Sequence, residues 1–150
     1  MGEKYIKSIK IIYDILVSPF KWYKVNKIVN KWFDEMDYRG TASYGLIDAD
    51  DLGPCKHDTY NGKVLISISI TFTDRNYFKD VKVPQHKYSD CDDVPGLLDF
   101  IKDTTDMIKS TPTFITYNGE INKIVTAMMC VVDENEVEVD YEVDNIPLIN

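Results

Sequence analysis

Between Val137 and Asp144 the chain alternates without exception: Val137, Val139, Tyr141 and Val143 on one side, Glu138, Asp140, Glu142 and Asp144 on the other. A period of two places all the apolar residues on one face of a strand and all the acids on the other. The wider stretch "VVDENEVEVDYEVD" (131–144) holds seven carboxylates and neither Lys nor Arg. Such a strand needs a core on one side and water or a partner on the other. It therefore demands a sheet with an exposed face or edge. Charge is a common protection for an edge strand, but Lys is the usual residue for it, and carboxylates in a row repel one another. Glu136, Glu138, Asp140, Glu142 and Asp144 are thus candidate partner-binding residues. They can dock on a basic neighbouring subunit or imitate a row of phosphates.

Upstream, "KIVTAMMCVV" (123–132) is apolar at nearly every position, as expected of a central strand covered on both faces. "VLISISITFT" (64–73) alternates as a long, half-buried antiparallel strand, and "TASYGLI" (41–47) can pair early. The Asn-Gly pairs in "NGK" (61–63) and "YNGE" (117–120) signal tight hairpins. Short strands are expected at 80–83, ended by Pro84, and at 113–117. "DDVPGLLDFIKDTTDMIKSTP" reads as a helix over about 94–110, with acids at its start, Leu97, Ile101 and Ile108 inward, and Pro112 beyond its end.

The N-terminal third reads as helical. Ile6, Ile9, Tyr13 and Leu16 recur at helical spacing over residues 3–17, and Ser18-Pro19 ends one helix and starts the next. Trp22, Val25, Val29, Trp32 and Met36 then form an apolar stripe, opposite Lys21, Lys24, Lys27 and Lys31, before Arg39-Gly40 closes the helix. The stripe suits packing on a sheet better than lying on a membrane. The resulting expectation is one α+β domain over 1–150. Residues 1–38 form its helical segment, and 41–150 form a mainly antiparallel sheet onto which two N-terminal helices and one central helix pack.

Charge is unevenly spread. Residues 1–31 hold seven lysines against Glu3 and Asp14, so of the net −8 the remaining residues carry −13. That balance opposes generic binding to a nucleic-acid backbone, and it makes the lysine face a second candidate contact surface. No stretch has the form of a signal peptide or a membrane span, and the three cysteines have no framework spacing, which suits an intracellular site.

Catalytic and metal motifs are weak. Cys55, His57, His86 and Cys91 offer zinc-type ligands, with Asp58, Asp90 and Asp92 nearby, but Cys-x-His is tighter than the usual knuckle. "DADDLG" (48–53) starts like a calcium loop, yet the twelfth position is Thr59 rather than Glu. There is no P-loop, G-x-G-x-x-G or G-x-S-x-G. The expectation is a protein without enzymatic activity, cofactor or metal.

The element order over about residues 20–132 runs from a leading helix through antiparallel strands to a four-turn helix and more strands. It resembles the small tail-completion and tail-terminator proteins of tailed bacteriophages. The resemblance implies a viral tail or neck component that works by protein–protein contact, in a virion or host cytoplasm, touching its own copies or neighbouring subunits. From the charge balance and the packed stripe, neither nucleic acid nor membrane is expected as a partner. The alternative reading is a soluble acidic inhibitor of a host nucleic-acid-binding defence protein.

Overall fold

The computed structural model describes residues 3–17, 25–37, 42–47 and 64–148. Its first element corrects the helical reading of residues 3–17. They form strand β1, Tyr5–Val17, thirteen residues with five isoleucines and a valine. β-branched side chains lose rotamer freedom in a helix and pack well on a pleated surface. Ile9, Ile11, Tyr13, Ile15 and Val17 alternate into the core. Ile6 joins them from three residues away because the register with its neighbour shifts between Ile6 and Ser8. This β-bulge inserts one extra residue and so produces a helical spacing inside a strand.

Helix α1, Val25–Asp37, follows, then β2, Ala42–Ile47, and β3, Val64–Phe72. The chain continues through a two-residue strand β4, Tyr88–Ser89, helix α2, Leu97–Lys109, a short helix α3, Pro112–Thr116, and strands β5, Glu120–Ile121, β6, Ile124–Val132, and β7, Glu138–Pro147. The sheet order is β2-β3-β1-β6-β7-β4, with β5 pairing the end of β1 beyond β6. All pairings are antiparallel except β4 with β7, so the α+β sheet is mixed. β1 thus lies at the centre, between β3 and β6.

One face of this sheet meets the helices. β1, β3, β6 and β7 contribute Ile11, Ile70, Ala127 and Val143 to a single core with α1 and α2. From α1 come Ile28, Val29, Trp32, Phe33 and Met36, so the expected stripe is buried at Val29, Trp32 and Met36. Trp22 and the side chain of Val25 lie outside the described residues, as do Ser18-Pro19, Arg39-Gly40 and the Asn61-Gly62 signal. From α2 come Leu97, Ile101 and Ile108, as expected, with Phe100, Thr104, Thr105 and Met107. Thr105 Oγ1 donates to the Ile101 carbonyl at 2.8 Å, so Tyr13 is the donor in its 3.1 Å bond to Thr105 Oγ1. Burial pushes the Tyr13 phenol far above its ordinary range.

Two local expectations fall to capping chemistry. Residues 113–117 form the helical turn α3 rather than a strand. Pro112 occupies its first turn, and Glu35 of α1 accepts the Thr113 N–H at 2.8 Å. The Asn118-Gly119 pair ends this helix instead of turning a hairpin. Asn118 is left-handed (φ 49°), its N–H donates to Ile115 O, and Gly119 N–H donates to Phe114 O at 2.8 Å. That is a Schellman closure with Asn in the glycine position. No strand forms at 80–83; β4 comes later, at Tyr88–Ser89. The acids before α2 sit in a 3-10 turn, Cys91–Asp93, ahead of the helix, and Asp99 is the acid of its first turn. Gly96 begins α2 at φ +86°, where a Cβ would stand 2.1 Å from the Asp80 carbonyl oxygen, so no other residue fits.

Candidate functional site

The other face of the sheet carries no covering layer among the described residues. Across β3, β1 and β6 it presents Leu65, Ser67, Lys10, Ile12, Asp14, Leu16, Thr126 and Met128, all half-buried. This corrects the expectation for "KIVTAMMCVV". β6 is central in the sheet, paired on both edges, but only Val125, Ala127, Met129 and Val131 on the helix side and Val132 at its end are enclosed, while Thr126, Met128 and Cys130 are half-buried. Ser67 opposes Asp14 in the register and donates to its Oδ1 at 2.8 Å, which holds that carboxylate in place. At the β5 end the face deepens into a cleft of about 420 Å³, lined by Asp14, Leu16, Leu65, Glu120, Ile121 and Lys123.

The acidic column borders this face. Register places Glu138 opposite Val132, Asp140 opposite Cys130 and Glu142 opposite Met128, while Val139, Tyr141 and Val143 turn toward the helices. The strand is nearly an edge, because β4 covers it only at Glu142 and Val143. A register shift between Val125 and Ala127, with Asn145 at φ 56°, bends its far end. Bulge, short cover and charge are three devices that discourage edge pairing.

Not all of the column is unanswered. Lys7, on the bulge of β1, reaches across β6 and pairs with Glu138. Their hydrogen bond, then their mutual attraction, raises the Lys7 ammonium and lowers the Glu138 carboxyl from their ordinary values. Asp144 accepts from Thr126 Oγ1 at 3.3 Å. Glu136 stands apart in the β6–β7 turn, left-handed at φ 62°, with its N–H on the Asp133 carbonyl. Asp133 organises that turn by accepting the Asn135 and Val137 N–H groups at 2.8 and 2.9 Å. Asp140 and Glu142 remain as carboxylates without an ion pair among the described residues.

The lysine face is separate from this site. Lys27 and Lys31 are exposed on α1, whose buried side packs in the core on the opposite side of the sheet; Lys21 and Lys24 lie outside the described residues. Lys7, the cation that does meet the acids, carries no sequence signal linking it to Glu138. Only the fold of β1 brings them together.

Burial first, then Glu138 and Asp140, raises the Cys130 thiol, and burial with Asp92 raises that of Cys91. Both therefore stay protonated at neutral pH and are poor nucleophiles. Cys55 and His57, the "DADDLG" loop and Asp58 lie outside the described residues. His86 is exposed, and among the described residues no three His, Cys, Asp or Glu side chains are grouped to hold a metal ion. No helix among them is long and apolar enough to cross a membrane.

No protein-family model and no curated protein matches the chain. Among solved structures, the de novo designed protein Foldit4 aligns over 80% of this chain and 94% of its own, at 12% identity and a TM-score of 0.38.

Proposed function

We propose that this protein is non-enzymatic and works by protein–protein contact through the uncovered sheet face. The observation that carries the reading is the pattern on that face: Ile12, Leu16, Leu65 and Met128 held half-buried, with charge along the β7 border. These apolar side chains are interleaved with Lys10, Asp14, Ser67 and Thr126, and a non-obligate protein interface has that mixed composition. In its specific form, taken from the sequence, the neighbour is another subunit of a phage-type tail or neck. The test is size-exclusion chromatography with light scattering on wild type and Met128→Lys. Wild type should assemble, or capture a virion subunit, and the variant should do neither while keeping its unfolding midpoint. A wild type that stays monomeric and captures nothing, or a variant that assembles equally well, counts against the reading.

The alternative, a mimic of nucleic-acid charge, is favoured by one observation. Asp140 and Glu142 are unpaired and lie two residues apart on a strand, a spacing of about 6.8 Å, which is comparable with successive phosphates. The two readings differ in salt dependence. Contact through the apolar face persists as salt rises, whereas contact through the acids weakens and slows. Replacing Glu138, Asp140 and Glu142 by Gln, Asn and Gln should abolish the second kind of binding and spare the first.

A further inference from the structure

On the helix side of the sheet, far from the acidic column, a cleft of about 300 Å³ opens between α2 and the end of β3. Its walls are aromatic. Phe72 and Phe100 meet edge to face with centroids 5.0 Å apart, and Tyr77 leans on Phe72 at 5.9 Å and 41°. Asp103 and Asp106 line the same cleft. They are three residues apart on α2 and therefore on one side of that helix. Neither carboxylate has an ion pair or side-chain hydrogen bond among the described residues.

We propose that this cleft takes a cationic side chain, lysine or arginine, presented by a partner protein. Aromatic rings attract a cation within about 6 Å of their centroids, and a nearby carboxylate supplies the hydrogen-bond acceptor for the charged tip. The shape suits a long side chain. Phe72 and Phe100 are almost wholly buried, while Tyr77 is 43% exposed. The opening is thus a slot with one standing wall, suited to a long alkyl stem laid along a ring with its charge at the rim. Arg75, two residues before Tyr77, does not fill it: its guanidinium lies 5.0 Å over the Tyr5 ring instead.

The inference takes from the contact reading only the source of the cation; the cleft itself is independent of the uncovered face. The probes are three capped pentapeptides, Gly-Gly-X-Gly-Gly, with X as lysine, arginine or Nε-acetyl-lysine. Each is titrated at millimolar concentration into the full chain, and amide shifts are followed by nuclear magnetic resonance. The lysine or arginine peptide should move the signals of Tyr77, Asp103 and Asp106, and the acetylated one should not. The double variant Asp103→Asn/Asp106→Asn should bind at least tenfold more weakly with its other signals unmoved, and Tyr77→Ala should weaken binding too. The inference is overturned if neither basic peptide moves these signals, if the acetylated peptide moves them equally, or if the double variant responds as wild type does. The Met128→Lys variant should respond like wild type, so failure of the cleft and failure of the sheet face are read separately.

Discussion

β1 and β7 are the two strands that set the character of this sheet, and they solve the same problem in opposite ways. Each sends β-branched residues toward the helices, and each carries a bulge that brings residues three apart, Ile6 with Ile9 and Val143 with Ile146, onto one face. β1 is paired along both edges, and its outward positions are mixed: Ser8, Lys10, Ile12, Asp14, Leu16. β7 is paired along one edge and nearly bare along the other, and its outward positions from Glu138 to Asp144 are all acidic. The central strand has a neighbouring strand along each edge, so a row of like charge on it would lie beside two other rows of side chains. The edge strand has water, and charge keeps other strands from joining it. Position in the sheet, more than strand propensity, decides what the outward residues are.

Backbone substitution should break the comparison most sharply. Lys10 lies opposite both Thr71 of β3 and Met128 of β6, so Lys10→Pro removes a donor from a fully used ladder. It should leave no cooperative transition in a urea melt. In β7 the Glu142 N–H donates to Lys87 O, away from β6. The N–H of Asp140, two residues earlier, therefore also faces the open edge. Asp140→Pro should stay folded, within about 1 kcal/mol of wild type. Equal damage from both would mean that β7 is not an edge.

A smaller contrast lies in the side chains. Ile11→Ala, fully enclosed in β1, should cost about 2–5 kcal/mol. Val139→Ala, half-buried in β7, should cost about 1 kcal/mol or less. Denaturant midpoints at constant slope measure both, and a Val139 loss as large as that of Ile11 would place Val139 fully inside the core.

The smallest effect belongs to the ion pair between the two strands, Lys7 with Glu138. Glu138 has a lowered folded-state value, so its pairing with Lys7 favours folding above the ordinary carboxylate range and is lost as pH falls through that lowered value. Lys7 has a raised value, so its share is lost only when strongly alkaline pH rises through it. Both side chains are more than half exposed, and the thermal midpoint should barely move in Lys7→Gln. The readable change is the Glu138 carboxyl titration, which should rise toward the ordinary carboxylate range in the variant. If it stays low, another group holds it.

The parts of the fold legible in the sequence share a single uninterrupted period. The alternation of β3, the alternation of β7 and the apolar face of α2 each predict their element correctly. Where a second device intervenes, the period misleads. The bulge at Lys7 gave β1 a spacing of three and the look of a helix, although its five isoleucines pointed to a strand. Asn118-Gly119 is hairpin chemistry in isolation, and only the preceding helical turn at Pro112 makes it a cap. The acidic column of the candidate site was legible because alternation alone fixes its face. The apolar half of that site was not, because "KIVTAMMCVV" says nothing about which side the helices leave bare.

The sheet's centre is its N-terminal strand, and this orders events during synthesis. β1 leaves the ribosome first, yet β6 begins at Ile124, more than a hundred residues after Val17. At about 5–20 residues per second, β1 waits on the order of ten seconds for that neighbour. Through that interval an isoleucine-rich segment is available to other nascent chains, and long-range pairing delays its protection further. The lysines at positions 4, 7 and 10 give the waiting strand a positive charge that sets copies of it apart. The same residues that later trim the finished sheet would then keep the unfinished one from joining its siblings.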